Sequence, residues 1–262
     1  MATTRRLGAH VGPDDLFDGA KARGADAVQI FLGDPQAWSK PEVLFDGGAA
    51  ALRDAAAAAD VDIYVHAPYV INVASSNNRI RIPSRKLMQQ TVTLAADVGA
   101  KGVVVHGGHV TKDEQPEVGL INWRKAMERL EPGAPVFIEN TAGGDHAMAR
   151  TLEMLGRLFE ALDGLDAGFC LDTCHAHAGG IDLTLGVKQI LDATGRIDLV
   201  HVNDSKGAFG SGQDRHANLG DGTIGADVIA AVVSESGAPG ICETKPDGQP
   251  ADLAFLREHV TA

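Results

Sequence analysis

Short apolar runs alternate with amphipathic stretches along the whole chain. The runs at 7–11, 27–31, 62–66, 102–106, 135–139, 168–172, 198–202 and 240–243 are built from Val, Ile, Phe, Leu and small residues and are bounded by polar or Gly-bearing segments, so each reads as a strand. The segments between them carry helical patterns with recognisable starts, such as Pro13-Asp14-Asp15 ahead of Leu16 and Pro83-Ser84 ahead of Leu87. The Ala-rich run at 49–59 is a helix rather than a linker, because alanine is the strongest helix former, Arg53 and Asp54 give it a wet side and Leu52 is its one large apolar anchor. Strand and helix in regular alternation predict an α/β fold with a parallel sheet. The 262 residues suit a closed (β/α)8 TIM barrel, and with no Pro/Ser-rich linker to divide the chain, residues 1–262 are expected to form a single domain.

What ends the strands is less ordinary than the strands. From the third to the eighth they finish on or beside His66, His106, Glu139, Asp172, His201 and Glu243. Two positions earlier stand Tyr64, Val104, Phe137, Cys170, Leu199 and Ile241, which strand alternation turns to the same side. The pattern predicts an apolar plug inside the barrel with metal-capable side chains above it, at the mouth where barrel enzymes keep their chemistry. A single terminal His or acid is ordinarily a hydrogen-bonding residue, and Asp172 alone would serve equally as a helix cap. Six in succession point instead to a metal centre. In the stretch Gly168 to His175 the strand stops at Asp172, and His175 is expected on the loop just beyond. His10, within the first strand, is assigned a supporting place behind the ligands.

The connection after the seventh strand, 201–216, brings more of the same chemistry. Asp214 and His216 are two positions apart, so an extended segment turns both one way, and with His175 they make a three-ligand metal site with an open position. Gly207, Gly210 and Gly212 allow close backbone approach to an anion, although neither a dinucleotide fingerprint nor a P-loop pattern is present. Cys174 reads as a packed thiol beside the ligands. Imidazoles favour zinc, while an all-nitrogen-and-oxygen set also accommodates manganese or iron.

Charge narrows the choice of partners. A net charge of −12 excludes a grip on nucleic acid by bulk positive charge, so any such partner is held by a local patch or by metal. Arg79, Arg81, Arg85 and Lys86 form the densest basic cluster, with Lys206 and Arg215 flanking the proposed metals. The chain lacks the apolar run of a signal peptide and any stretch long enough to span a membrane. Three cysteines, an odd number with two at strand positions, suit a reducing cytoplasm.

Taken together, His66-Ala67-Pro68-Tyr69, Glu139-Asn140-Thr141-Ala142-Gly143, Leu171-Asp172-Thr173-Cys174-His175, His201-Val202-Asn203-Asp204-Ser205-Lys206 and Asp214-Arg215-His216 resemble endonuclease IV, the metal-dependent family of apurinic/apyrimidinic endonucleases, over nearly the whole chain. The resemblance implies a barrel with three zinc ions that hydrolyses double-stranded DNA 5′ to an abasic site, leaving a 3′-hydroxyl, through a metal-bound hydroxide. Carried over motif by motif, His66, His106 and Glu139 hold the first ion. Glu139 bridges to a second, held also by Asp172, His201 and Glu243, and His175, Asp214 and His216 hold the third. Glu139 and Glu243 are the carboxylates expected to act in catalysis. Clustered dications suit this reaction because they neutralise the phosphodiester and lower the pKa of bound water to about 7.

The resemblance also places Tyr69 and Val70 where the family pushes side chains into the DNA stack, and Gln36 and Trp38 on a second DNA loop. Gln36 stands where family members often carry Arg, and Gly107 where they carry Pro. His109 is expected near a phosphate or behind the ligands. A compact barrel that meets DNA through one face can act as a monomer. The rival enzyme is a sugar isomerase or epimerase of the xylose-isomerase-like barrels, whose sites do without the His175, Asp214 and His216 set.

Overall fold

The computed structural model describes residues 5–12 and 16–261. Eight parallel strands close into a barrel: β1 (Leu7–His10), β2 (Ala27–Phe31), β3 (Asp62–His66), β4 (Val103–His106), β5 (Val136–Glu139), β6 (Ala167–Asp172), β7 (Leu199–Val202) and, last in the chain, β10 (Gly240–Cys242), which pairs with both β7 and β1. The strand ends differ from the sequence expectation by a residue, as fraying ends do. The proposed helix start at Pro13-Asp14-Asp15 lies outside the described residues.

Alternation along the strands makes two cores. Inward-facing Tyr64, Val104, Phe137, Cys170, Leu199 and Ile241 form one buried cluster with Ala27, the plug that the strand ends predict. Phe137 fits because its neighbours have no side chains: a Cβ at Gly102 or Gly168 would lie 2.3 Å or 2.4 Å from its ring. The outward residues, such as Val65, Val105, Ile138, Phe169 and Val200, pack instead with the surrounding helices. These are α1 (Leu16–Arg23), α2 (Gly48–Ala59), α3 (Asn78–Asp97), α4 (Glu117–Met127), α5 (Leu152–Ala161), α6 (Thr173–Gly179), α7 (Lys188–Thr194), α8 (Ala226–Ser236) and α9 (Gln249–His259). Among the described residues no helix is long and apolar enough to cross a membrane.

Three local expectations change. Helix α3 starts at Asn78, not at Pro83-Ser84: the Asn77 side chain accepts the Arg79 N–H at 2.9 Å, a stronger start signal, and Pro83 lies inside the helix. His175 is not on a loop. It sits in the first turn of α6, because Thr173 to Ala178 contains no helix breaker and Asp172 caps the helix by accepting the His175 N–H at 2.6 Å. The connection after β7 is not one extended loop either. It folds back as a hairpin, β8 (Asp204–Ser205) against β9 (His216–Ala217), with Ser205 opposite His216. Buried Asp204 holds the far side by accepting the N–H groups of Gly220, Gly222 and Ile224.

Candidate metal centre

All nine predicted ligand side chains reach the C-terminal mouth. Glu139, at the end of β5, is fully buried and lies at the middle of the set. Its Oε2 stands 3.3 Å from Nε2 of His66 and 3.2 Å from Nε2 of His106, the last residues of β3 and β4. Its Oε1 stands 3.1 Å from Nδ1 of His201 and 3.2 Å from Nδ1 of His175. One carboxylate thus touches four imidazoles. His201 Nδ1 also lies 3.2 Å from Glu243 Oε2, and Asp214 reaches Nε2 of both His175 and His216 at 3.1 Å.

The donor atoms fall into sets compact enough for an ion. His66, His106 and Glu139 form one, and Glu139, Asp172, His201 and Glu243 another. Around His216 two sets overlap, with Asp172 and His175 on one side and Cys174 and Asp214 on the other. Asp172 therefore faces the region of both the second and third groups, and the buried thiol of Cys174 is close enough to count among the donors. Burial pushes that thiol up to about 11, so it is a neutral group among anions.

The charges here depend on one another. Burial works to raise Glu139 and Glu243, but His106 and His201 override it for Glu139, and His201 for Glu243, holding Glu139 well below the carboxylate range and Glu243 at about 2. For Asp172 burial wins and its pKa rises. Burial would lower His216, yet Asp214 and Asp172 raise it to about 9. His175 and His201 are likewise lifted well above the usual imidazole value against their burial, chiefly by Asp172 for His175 and by Cys170 with Glu243 and Glu139 for His201.

These residues fit divalent cations. Five imidazoles and four carboxylates offer only nitrogen and oxygen, the donors that zinc, manganese and iron share. Buried Nε2 of His216 makes no well-directed hydrogen bond and has carboxylate oxygens of Asp214 and Asp172 at 3.1 Å and 3.7 Å, a lone pair and two anions set around one point as a cation needs. In His66, His175 and His201 the second ring nitrogen is held by a protein group, as a ligating histidine requires. His66 Nδ1 bonds the Ala67 carbonyl at 2.7 Å, and His175 Nδ1 the Asn140 carbonyl at 3.0 Å.

The amides that hold the carboxylates escaped sequence reasoning. Asn203 Nδ2 donates to Asp172 Oδ2 at 2.7 Å, its Oδ1 accepts from the Glu243 N–H at 3.0 Å, and Asn140 exchanges two bonds with the Asp172 backbone. Gln29, on β2, is fully buried and bonds His201, Glu243 and His10. Its only signal was one amide inside the apolar run Ala27–Phe31. His10 does lie behind the ligands, its pKa pulled down to about 4 by burial.

Beside the centre runs a groove of about 510 Å³ lined by Trp38, Tyr69, Val70, Asn72, His106 and His109. Tyr69 and Trp38 are half-exposed, and the Tyr69 ring stacks on His106 at 5.7 Å. Burial raises the Tyr69 phenol to about 12, so it enters the groove uncharged. Gln36 is exposed on a turn closed by Asp34, and His109 is exposed beside Asn72. Where a family Pro was expected, Gly107 packs so tightly that a Cβ would lie 2.5 Å from that of Ala149.

The basic side chains on α3 divide into two kinds. Arg81 binds the carbonyls of Ser75 and Ser76 at 2.9 Å and 2.8 Å, and Arg85 reaches across to the Asn122 carbonyl on α4 at 2.7 Å. Arg81 thus ties down the loop before α3, whose carbonyls have no helical partner, and Arg85 joins α3 to α4. Arg79 and Lys86 on α3, and Lys206 and Arg215 beside the centre, remain exposed.

Comparison with known proteins agrees with this geometry. Residues 17–259 match the family described as xylose isomerase-like TIM barrel. A Mycobacterium tuberculosis protein named probable endonuclease 4 is 56% identical over 252 residues, 96% of this chain and 98% of the relative. Its namesake from Mycobacterium marinum is 53% identical over 256 residues, 98% and 99% of the two chains. The crystal structure of endonuclease IV from Thermus thermophilus superposes with a TM-score of 0.81 at 28% identity, covering 97% of this chain and 98% of that one. A D-tagatose 3-epimerase-like protein also superposes, with a TM-score of 0.77 at 20% identity and coverage of 97% and 96%, a likeness of fold alone. The chain belongs to the xylose isomerase-like TIM barrel family, in its endonuclease IV branch.

Proposed function

We propose that this chain, a DNA-cleaving hydrolase, incises double-stranded DNA on the 5′ side of abasic sites and leaves a 3′-hydroxyl. The observation that carries the reading is Glu139, one buried carboxylate within 3.3 Å of four imidazoles drawn from four elements. A sugar epimerase site has no use for such a set together with a third one at Asp214 and His216. Three divalent cations are proposed, with zinc as the resident metal and manganese or iron as substitutes. His66 and His106 with Glu139 would hold one, Asp172, His201 and Glu243 with Glu139 the next, and His175, Asp214 and His216 the last. Bound there, the cations supply charge neutralisation at the phosphate and lower the pKa of water to about 7.

The chain's own groups do the rest. Glu139 joins two sets and fixes their spacing, and Glu243, tied to Gln29 and Asn203, keeps an anionic oxygen turned to the centre. Tyr69, Val70 and Trp38 offer apolar surface along the groove, where a duplex already lacking a base opens at least cost. Gln36 lies on the same side without the positive charge of an Arg, so lesion wedging rests more on the aromatic rings. Lys206, Arg215 and Arg79 are placed to meet phosphates. A single barrel domain acting as a monomer in the cytoplasm is sufficient for this chemistry, and its three cysteines are free and buried.

A duplex carrying one synthetic abasic site tests the reading. It should be nicked 5′ to the lesion with an end that a polymerase extends, and prolonged chelation should abolish the cut. Turnover of a ketose with the duplex left intact would reverse the assignment.

A further inference from the structure

β2 is the one strand between β1 and β7 that contributes no ligand, yet it sends a fully buried amide under the centre. Gln29 Nε2 lies 2.7 Å from Glu243 Oε1 and 3.1 Å from His10 Nδ1, and its Oε1 lies 2.7 Å from His201 Nε2. The neighbours leave the amide one orientation. An ionised carboxylate only accepts hydrogen bonds, so the NH2 end must face Glu243 and the carbonyl end must face His201. A carbonyl only accepts, so His201 Nε2 must carry a hydrogen. Nδ1 is then the ring atom left to offer a lone pair to a cation, and it is the atom turned to Glu139 and Glu243 at 3.1 Å and 3.2 Å. The second amide hydrogen points to His10 Nδ1, which must accept it, leaving the proton of His10 on its Nε2.

We propose that Gln29 is the positioning residue that sets the ring orientation and coordinating nitrogen of His201 and the rotamer of Glu243, and through them the affinity of the second cation set. The inference rests on the metal reading of the mouth given above. No other side chain of this size does the same. A carboxylate at this place would face Glu243 with a second negative charge, and an apolar residue would leave both His201 Nε2 and Glu243 Oε1 without a partner in a dry interior. The amide also reaches across β1, the strand beside β2 in the barrel, to hold two ligands that lie beyond it on β7 and at the end of β10.

Two measurements on zinc-loaded protein decide the matter. Nitrogen-15 spectra of the imidazoles should show His201 protonated at Nε2 and coordinated through Nδ1; coordination through Nε2 would overturn the proposal even if no variant folds. Gln29→Leu, checked for native thermal unfolding, should hold the ion between His201 and Glu243 roughly 10–100-fold more weakly against a chromogenic chelator, the range for loss of a partner behind a ligand. The ion at His66 and His106 should keep its affinity. A folded variant with wild-type affinity for every ion would also overturn it. Wild-type protein that takes up no zinc at all would instead remove the metal reading on which the inference stands.

Discussion

The backbone N–H of Tyr69 donates to the carbonyl of Pro35 at 2.8 Å. The loops after β2 and β3 are therefore one surface, with Trp38 and Tyr69 along the same groove. Trp38→Ala and Tyr69→Ala should each weaken binding of an abasic duplex by about 1–3 kcal/mol, the range for an aromatic ring stacked on a base. Undamaged duplex should be affected less. Filter binding or fluorescence anisotropy would show it, and equal affinities for wild type and both variants would remove these rings from DNA recognition.

Glu139→Gln keeps the shape of the side chain and removes its charge. With four imidazoles facing it, the change should lower bound metal to one ion per chain or fewer and cut nicking to roughly a thousandth or below. A mild loss with full metal content would mean that the carboxylate does not join two sets.

Wild-type protein prepared without chelators should contain close to three metal ions per chain by elemental analysis. Stripping them should stop nicking, and zinc should restore it. A plateau at one ion would favour the site plan of the sugar-converting barrels.

The cationic side chains should separate into two kinds. Arg215→Ala and Lys206→Ala should weaken DNA binding across sequences and lower the slope of affinity against salt by about 1 each. Arg85→Ala should leave that slope unchanged and instead cost about 0.5–1.5 kcal/mol of stability, since the hydrogen bond that joins α3 to the Asn122 carbonyl on α4 is lost. A salt slope altered by Arg85→Ala would return that residue to the DNA surface.

Protein stripped of metal should have a stability optimum on the acid side of neutrality. Glu243, lowered from 4.5 to about 2, contributes stability that is present above 4.5 and lost as pH falls through 2. His216, raised from 6.5 to about 9, contributes stability that is complete below 6.5 and lost as pH rises through 9. His10, lowered by burial from 6.5 to about 4, withdraws stability as pH falls across that interval, so denaturation midpoints should peak near pH 6.5. A midpoint that stays flat from pH 6 to 9 would contradict the pairing of His216 with Asp214 and Asp172.

The barrel and the ring of ligands were legible because both follow a period of two. Tyr64, Val104, Phe137, Cys170, Leu199 and Ile241 point inward for the same reason that His66, His106, Glu139 and Asp172 stand above them. What carries no period stayed hidden. β8 and β9 are two residues each, too short to alternate, so the hairpin that presents His216 could not be foreseen. Gln29 looks like any polar residue in a buried strand until its three partners, distant in sequence, are seen. The same holds for Arg81 and Arg85, since a run of basic residues does not say which carbonyls will claim them.

Asp172 reads in the sequence as either a helix cap or a member of the metal set, and in the fold its two oxygens are free to serve one purpose each. Oδ1 closes the start of α6, while Oδ2 is turned to Asn203 and lies 3.7 Å from His216. A helix of seven residues has little stability of its own, so anything that draws on this carboxylate is felt along its whole length. Amide exchange at His175 and its neighbours should thus slow as the mouth is filled and quicken as it empties, making that helix a built-in gauge of whether the enzyme is ready to work.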